Sequence, residues 1–135
     1  MVPTKPLTEF NPTVQWWTNK EWLAEFDKYI AVDETHSQDH HRILDRRFTF
    51  QVFAKTVRHI QGSTAECGVF KGTSSALTCA TLQGTYGGEF HYGFDSFCGL
   101  PEPGVNDGAW RKGQLAMPFE RASEHLNEFA SFCTL

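Results

Sequence analysis

Thr64-Ala65-Glu66-Cys67-Gly68-Val69-Phe70-Lys71-Gly72-Thr73-Ser74-Ser75 is the stretch on which the fold turns. Residues 64–69 are short, mostly small or β-branched, and suit a buried strand ending at a glycine. Thr73–Leu82 reads as a helix that begins with Thr and Ser, residues favoured at helix N-caps. Gly84, Gly87 and Gly88 mark a turn, and Phe90-His91-Tyr92-Gly93-Phe94 reads as a second strand closed by Asp95. Strand, glycine turn, helix, turn and strand make one βαβ unit, which in a parallel sheet implies a right-handed crossover. The expected class is α/β.

Upstream, Met1–Pro12 carries three of the six prolines and reads as an extended arm. Thr18-Asn19-Lys20-Glu21 has the form of a capping box. Trp22, Leu23, Phe26 and Ile30 follow at three- and four-residue steps, one apolar face of a helix. Asp33–His40 is polar and breaks that pattern. A second helix is predicted over about His41–Gln61, with Leu44, Phe48, Phe53, Val57 and Ile60 inward and Gly62 as its C-cap. The organisation expected is an arm and helix over 1–40, then the α/β domain over 41–135.

Composition narrows the function classes. With 135 residues, 40% hydrophobic and 21% charged, the chain suits one globular domain. Twelve basic against sixteen acidic side chains, a net charge of −4, provide no basic stripe for a phosphate backbone, so no nucleic-acid partner is expected. The twelve Phe and four Trp read as core filling or as the lining of a ligand cleft. Cys67, Cys79, Cys98 and Cys133 contain no C-x-x-C pair, which argues against a zinc knuckle, and the chain lacks the density of a disulfide scaffold. Met1–Pro12 has no apolar signal region, and no stretch approaches the roughly 18 apolar residues of a membrane span. A cytoplasmic protein with reduced thiols is expected.

The chemistry concentrates where the two strands end. Gly68 lets a ligand approach the backbone, Gly72 permits a close turn, and the helix start offers N–H groups to an anionic group. Asp95, at the end of the second strand, can accept hydrogen bonds from both hydroxyls of a ribose. Two nucleosidic ligands suit this layout. A dinucleotide normally wants G-x-G-x-x-G, but Phe70 stands where the second glycine makes room for pyrophosphate. S-adenosylmethionine has no phosphate, and an E-x-G-x-x-x-G turn suits the zwitterion of its methionine end.

Residues 65–77, Ala65-Glu66-Cys67-Gly68-Val69-Phe70-Lys71-Gly72-Thr73-Ser74-Ser75-Ala76-Leu77, with Phe94-Asp95-Ser96-Phe97-Cys98-Gly99-Leu100-Pro101, resemble the macrocin O-methyltransferase family. Asp107, Trp110 and Gly113 fall where that family's loop residues are expected, so the resemblance covers roughly Arg42 to Leu135. It implies a Rossmann-like class I methyltransferase fold, here its N-terminal helices and first βαβ unit, with S-adenosylmethionine as methyl donor. It also implies a small-molecule hydroxyl acceptor, often on a natural-product sugar, and Mg2+ that positions the acceptor. By the same resemblance Glu66, Gly68, Val69, Phe70, Gly72 and Ser74 line the methionine end, Asp95 holds the ribose, and Ser96 and Phe97 border the adenine. Cys98 departs from the family, which usually has Glu there. The metal-binding acids and general base implied by the resemblance lie beyond Leu135, so a truncated chain is expected. No catalytic residue and no metal ligand is assigned within it, and a homo-oligomer is one possibility for the complete enzyme.

Other features have competing readings. Asp39-His40-His41 with His36 invites a metal site, but adjacent histidines diverge on a helix, and a solvated helix start is preferred. Arg46-Arg47 after Asp45 reads as a surface ion-pair face or as a cover for the cofactor cleft. Glu66 reads as a ligand contact or as a partner for backbone amides. Glu102–Gly113, rich in glycine, is either a lid or a long connection. The rival functions are a nicotinamide-dinucleotide oxidoreductase and a non-catalytic partner subunit.

Overall fold

The computed structural model describes residues 20–29, 40–85 and 88–135. The extended arm, Thr18 of the capping box, Ile30, His36, Asp39 and Gly87 therefore lie outside the described residues. The elements run α1 (Lys20–Tyr29), α2 (His40–Val57), β1 (Thr64–Cys67), α3 (Thr73–Leu82), β2 (His91–Phe94), α4 (Phe119–His125), a 3-10 turn (Asn127–Phe129) and β3 (Cys133–Thr134). The strands form one parallel sheet in the order β1-β2-β3. Thr64 stands opposite His91 and Cys67 opposite Phe94, while His91 also faces Cys133. The chain is a mixed α/β protein.

α3 is the hub of packing. Ala76, Cys79 and Leu82 join Leu126, Phe129, Phe132 and Cys133 in one apolar cluster, and Leu77 joins Trp22, Phe26 and Leu44 in another. Each fully buried leucine is worth about 1.5–3 kcal/mol relative to exposure. Gln51 is the polar link among the helices. Its Oε1 accepts the Trp22 indole N–H at 2.5 Å and its Nε2 donates to Thr81 Oγ1 at 3.0 Å, joining α1, α2 and α3. Both ends of a buried amide are thereby satisfied.

Side chains alternate across a strand. Thr64, Glu66, His91, Gly93 and Cys133 are buried or half-buried, whereas Ala65, Cys67, Tyr92, Phe94 and Thr134 are exposed. Parallel sheets are usually covered on both faces; here the described residues cover one. Among the described strands, β1 pairs only with β2.

α3 has the predicted bounds, but its N-cap is Gly72, with φ 86° and no side-chain cap, and Thr73 is already helical. α2 ends at Val57 instead of Gln61. The Thr56 hydroxyl donates to the Phe53 carbonyl at 2.7 Å, and the Ile60 N–H closes a tight turn onto Val57 O. Such local bonding competes with helix continuation. Gly62 is thus no helix cap; its carbonyl accepts the Glu89 N–H at 3.1 Å. Phe53, Val57 and Ile60, expected inward, are exposed, Phe53 at 66%. The buried stripe of α2 runs through Leu44, Gln51 and Ala54, and Phe53 and Val57 border an open groove beside β1. A third strand, β3, which the βαβ reading did not include, pairs with β2. No described helix is long and apolar enough to cross a membrane.

Candidate functional site

Gly68 and Asp95 stand side by side at the carboxyl ends of β1 and β2. The Gly68 N–H donates to Phe94 O at 2.8 Å, continuing the ladder to the point where the two turns diverge. Asp95 then ties the turns together: Oδ2 accepts the Phe70 N–H at 2.9 Å and Oδ1 accepts the Phe97 N–H at 2.8 Å. Phe70 and Phe97 both have left-handed backbones, with φ 51° and 57°. That conformation costs an L-residue roughly 1–2 kcal/mol, and the charged hydrogen bonds to one carboxylate offset it. Partial burial works to raise the Asp95 pKa, but the backbone N–H groups around it outweigh burial and hold it below the ordinary carboxylate range.

The two glycines of the first turn do different work. Gly68 has φ 92°, and a methyl group added there would meet nothing within 4 Å. Gly72 has φ 86°, and its added methyl would press on His125 and Leu126 at 3.3 Å. Gly68 therefore leaves open space at the strand tip, while Gly72 lets α3 approach the segment 125–126. Val69 is buried and brings only its backbone to the turn. Phe97 is half-buried and packs edge-on against Phe119, ring centroids 5.3 Å apart. Ser96 and Cys98 are exposed, with Ser96 Oγ accepting the Cys98 N–H at 3.3 Å.

Glu66 and Ser74 lie away from this tip. Ser74 receives a hydrogen bond from Arg47, and both residues line the groove of about 660 Å3 between α2 and β1. Glu66 Oε2 accepts the Ser75 hydroxyl at 2.5 Å and lies 3.6 Å from His91 Nε2. Its partners are a side-chain hydroxyl and an imidazole, not the turn amides. Burial works to raise the Glu66 pKa, but His91, Ser75 and Ser74 together hold it below the usual value. Arg46 and Arg47 border this groove.

The predicted loop 102–113 is turns and bends closed at its neck. Leu100 fastens it, its carbonyl accepting the Gly113 N–H and its N–H donating to Gln114 O, each at 2.8 Å. Asp107 holds its first bend through the Gly104 N–H. Trp110, Pro103 and Leu115 line a second hollow of about 380 Å3 beside it.

One group of residues escaped the sequence reading. His91 on β2 is 1% exposed, beside Cys133 on β3 and under Cys79 of α3. Its Nδ1 is hydrogen-bonded to Thr64 Oγ1 at 2.8 Å. Its Nε2 is buried without a hydrogen-bond partner. Burial pushes the Cys79 and Cys133 thiols up, keeping both protonated. The one signal was the strand alternation that turns His91 inward; the three elements that bring the group together are far apart in sequence.

No family model, no curated protein and no solved structure matches the chain.

Proposed function

We propose that the chain is the cofactor-binding part of an S-adenosylmethionine-dependent O-methyltransferase with a Rossmann-like sheet, acting on a hydroxyl of a small molecule. The observation that carries this reading is the Asp95 carboxylate, shared between two turns at adjacent parallel strand ends, with open space above Gly68. In open α/β sheets, ligands sit in the crevice beyond the carboxyl ends of the strands.

The residues fit such a cofactor at the strand tip. Each Asp95 oxygen uses one acceptor site on a backbone N–H, leaving further lone pairs for ribose hydroxyls. Gly68 admits the methionine end to the backbone, and the start of α3, uncapped by any side chain, favours its carboxylate. Phe97 and Ser96 border the adenine. Glu66 and Ser74 border the groove beside α2 instead. The bound cofactor supplies an electrophilic methyl group. The chain's own contribution is to hold that donor in a fixed direction, since much of methyl transfer is alignment of donor and acceptor. The Mg2+ and general base that the resemblance implies have no assigned residues among those described. A nicotinamide dinucleotide is disfavoured because the ring-bearing Phe70, in a left-handed turn, occupies the place where a pyrophosphate needs a glycine.

Calorimetry with S-adenosylhomocysteine tests the proposal. Saturable binding, weakened tenfold or more (about 1.4 kcal/mol) by Asp95→Asn, is expected. Failure of the unaltered chain to bind it, or tighter binding of NADH, would overturn the reading.

A further inference from the structure

We propose that Cys79, His91 and Cys133 form a binding site for a thiophilic divalent cation of the zinc class, buried beneath α3 and separate from the strand-tip crevice. Two independent observations carry it. The first is geometry: one ligating atom from each of the three residues lies within 4.8 Å of the other two, and all three residues are buried. The second is that the buried imidazole of His91 has an Nε2 with no hydrogen-bond partner. A buried polar atom left unpaired costs roughly 1–3 kcal/mol, so such atoms normally have a partner.

The donor set suits one class of ion. The two thiols release their protons to solvent as the cation binds, and two thiolate sulfurs with an imidazole select zinc and similar soft or borderline cations over magnesium or calcium, which take oxygen ligands. Zinc holds sulfur at about 2.3 Å and nitrogen at about 2.0–2.1 Å, and a tetrahedron of those bonds sets its donors roughly 3.5–3.8 Å apart. Closing the observed cluster therefore needs movements on the order of 1 Å, within reach of side-chain rotation. Thr64 Oγ1 holds His91 Nδ1 at 2.8 Å, the kind of contact that orients a ligating imidazole. Glu66 Oε2, 3.6 Å from His91 Nε2, is placed to approach as an oxygen donor. The site is no zinc knuckle, which is why spacing alone argues against it: its donors come from α3, β2 and β3. A cation there would pin α3 to β2 and β3, and β2 is the strand that leads into Asp95.

The test uses the Cys67→Ser/Cys98→Ser chain, in which the two exposed thiols are removed and only Cys79 and Cys133 remain. The reduced, metal-free protein is titrated with Co2+ without oxygen. The expected result is a thiolate-to-cobalt charge-transfer band with tetrahedral visible bands, saturating at one equivalent and abolished by Zn2+. Adding Cys133→Ala should remove the charge-transfer band at unchanged far-ultraviolet circular dichroism. If that variant does not fold, protection of both thiols from alkylation by Zn2+ in the parent chain decides instead. No thiolate band at one equivalent, thiols alkylated equally with and without Zn2+, or a Cys79–Cys133 disulfide in place of metal uptake would each overturn the proposal. S-adenosylhomocysteine binding plays no part in these readouts.

Discussion

The strand tips and the covered face of the sheet both carry polar chemistry, and they handle it in opposite ways. At the tips, Asp95 is paired with two backbone N–H groups yet stays near solvent, and the space above Gly68 is open. Under α3, His91, Cys79 and Cys133 are shut away from water, and one imidazole nitrogen has no hydrogen-bond partner, with Glu66 Oε2 3.6 Å away. A site that must take up and release a small molecule needs its polar groups satisfied in both states, which backbone donors provide. A buried group without a partner suits permanent occupancy. The comparison separates exchange from structure within a few residues of one strand, since β2 carries His91 at one end and leads into Asp95 at the other.

Four perturbations would break or sharpen that contrast. The largest effect is expected from Leu82→Ala on α3, whose fully buried side chain shares a cluster with Cys79 and Cys133. It should cost about 2–5 kcal/mol in urea denaturation while leaving S-adenosylhomocysteine affinity within about twofold, measured well below the unfolding transition. A large affinity loss would show that the two regions are not independent. Asp95→Ala removes two charged hydrogen bonds and should cost about 1–3 kcal/mol of stability, with a tenfold or larger loss of affinity (about 1.4 kcal/mol). Stability lost without affinity would leave Asp95 as a purely structural tie.

Gly68→Ala and Gly72→Ala form the third test, each carrying roughly 1–2 kcal/mol of backbone strain. Gly72→Ala also presses on Leu126 and should cost more stability by thermal melting, whereas Gly68→Ala should weaken cofactor binding more. The reverse ranking would move the ligand away from the tip. The smallest effect is the pH dependence of Asp95. Its pKa is lower folded than unfolded, so its ionised form contributes stability above the unfolded value of about 3.9. That contribution is lost as pH falls through the lower folded value. Between about pH 4 and the acid limit, denaturant midpoints of Asp95→Asn should fall less steeply than those of the unaltered chain.

The parts legible from sequence were those set by local rules. The Glu66–Ser75 stretch predicted strand, glycine turn and helix, and Asp95 was placed beside Gly68 because equal strand ends in a βαβ unit must meet. Asp95 as a tie between Phe70 and Phe97 was not legible, because left-handed phenylalanines give no pattern signal. The inward set of α2 was misread because Phe53 and Val57 are apolar at helical spacing, yet the stripe that packs on α1 and α3 uses Gln51 and Ala54 instead. α4 was missed as well, since Pro118 and the short run after it carry only a weak helical period. The Cys79, His91 and Cys133 group is a product of topology, and local spacing shows only that His91 turns inward.

The central claim is tested most directly by amide NMR during titration with S-adenosylhomocysteine. Saturable shifts are expected at Gly68, Phe70, Gly72, Ser96 and Phe97, with the buried Leu77 and Cys133 amides little changed. Shifts centred on Phe50, Phe53 and Ala65 along the groove beside β1, or no saturable shifts at all, would contradict it.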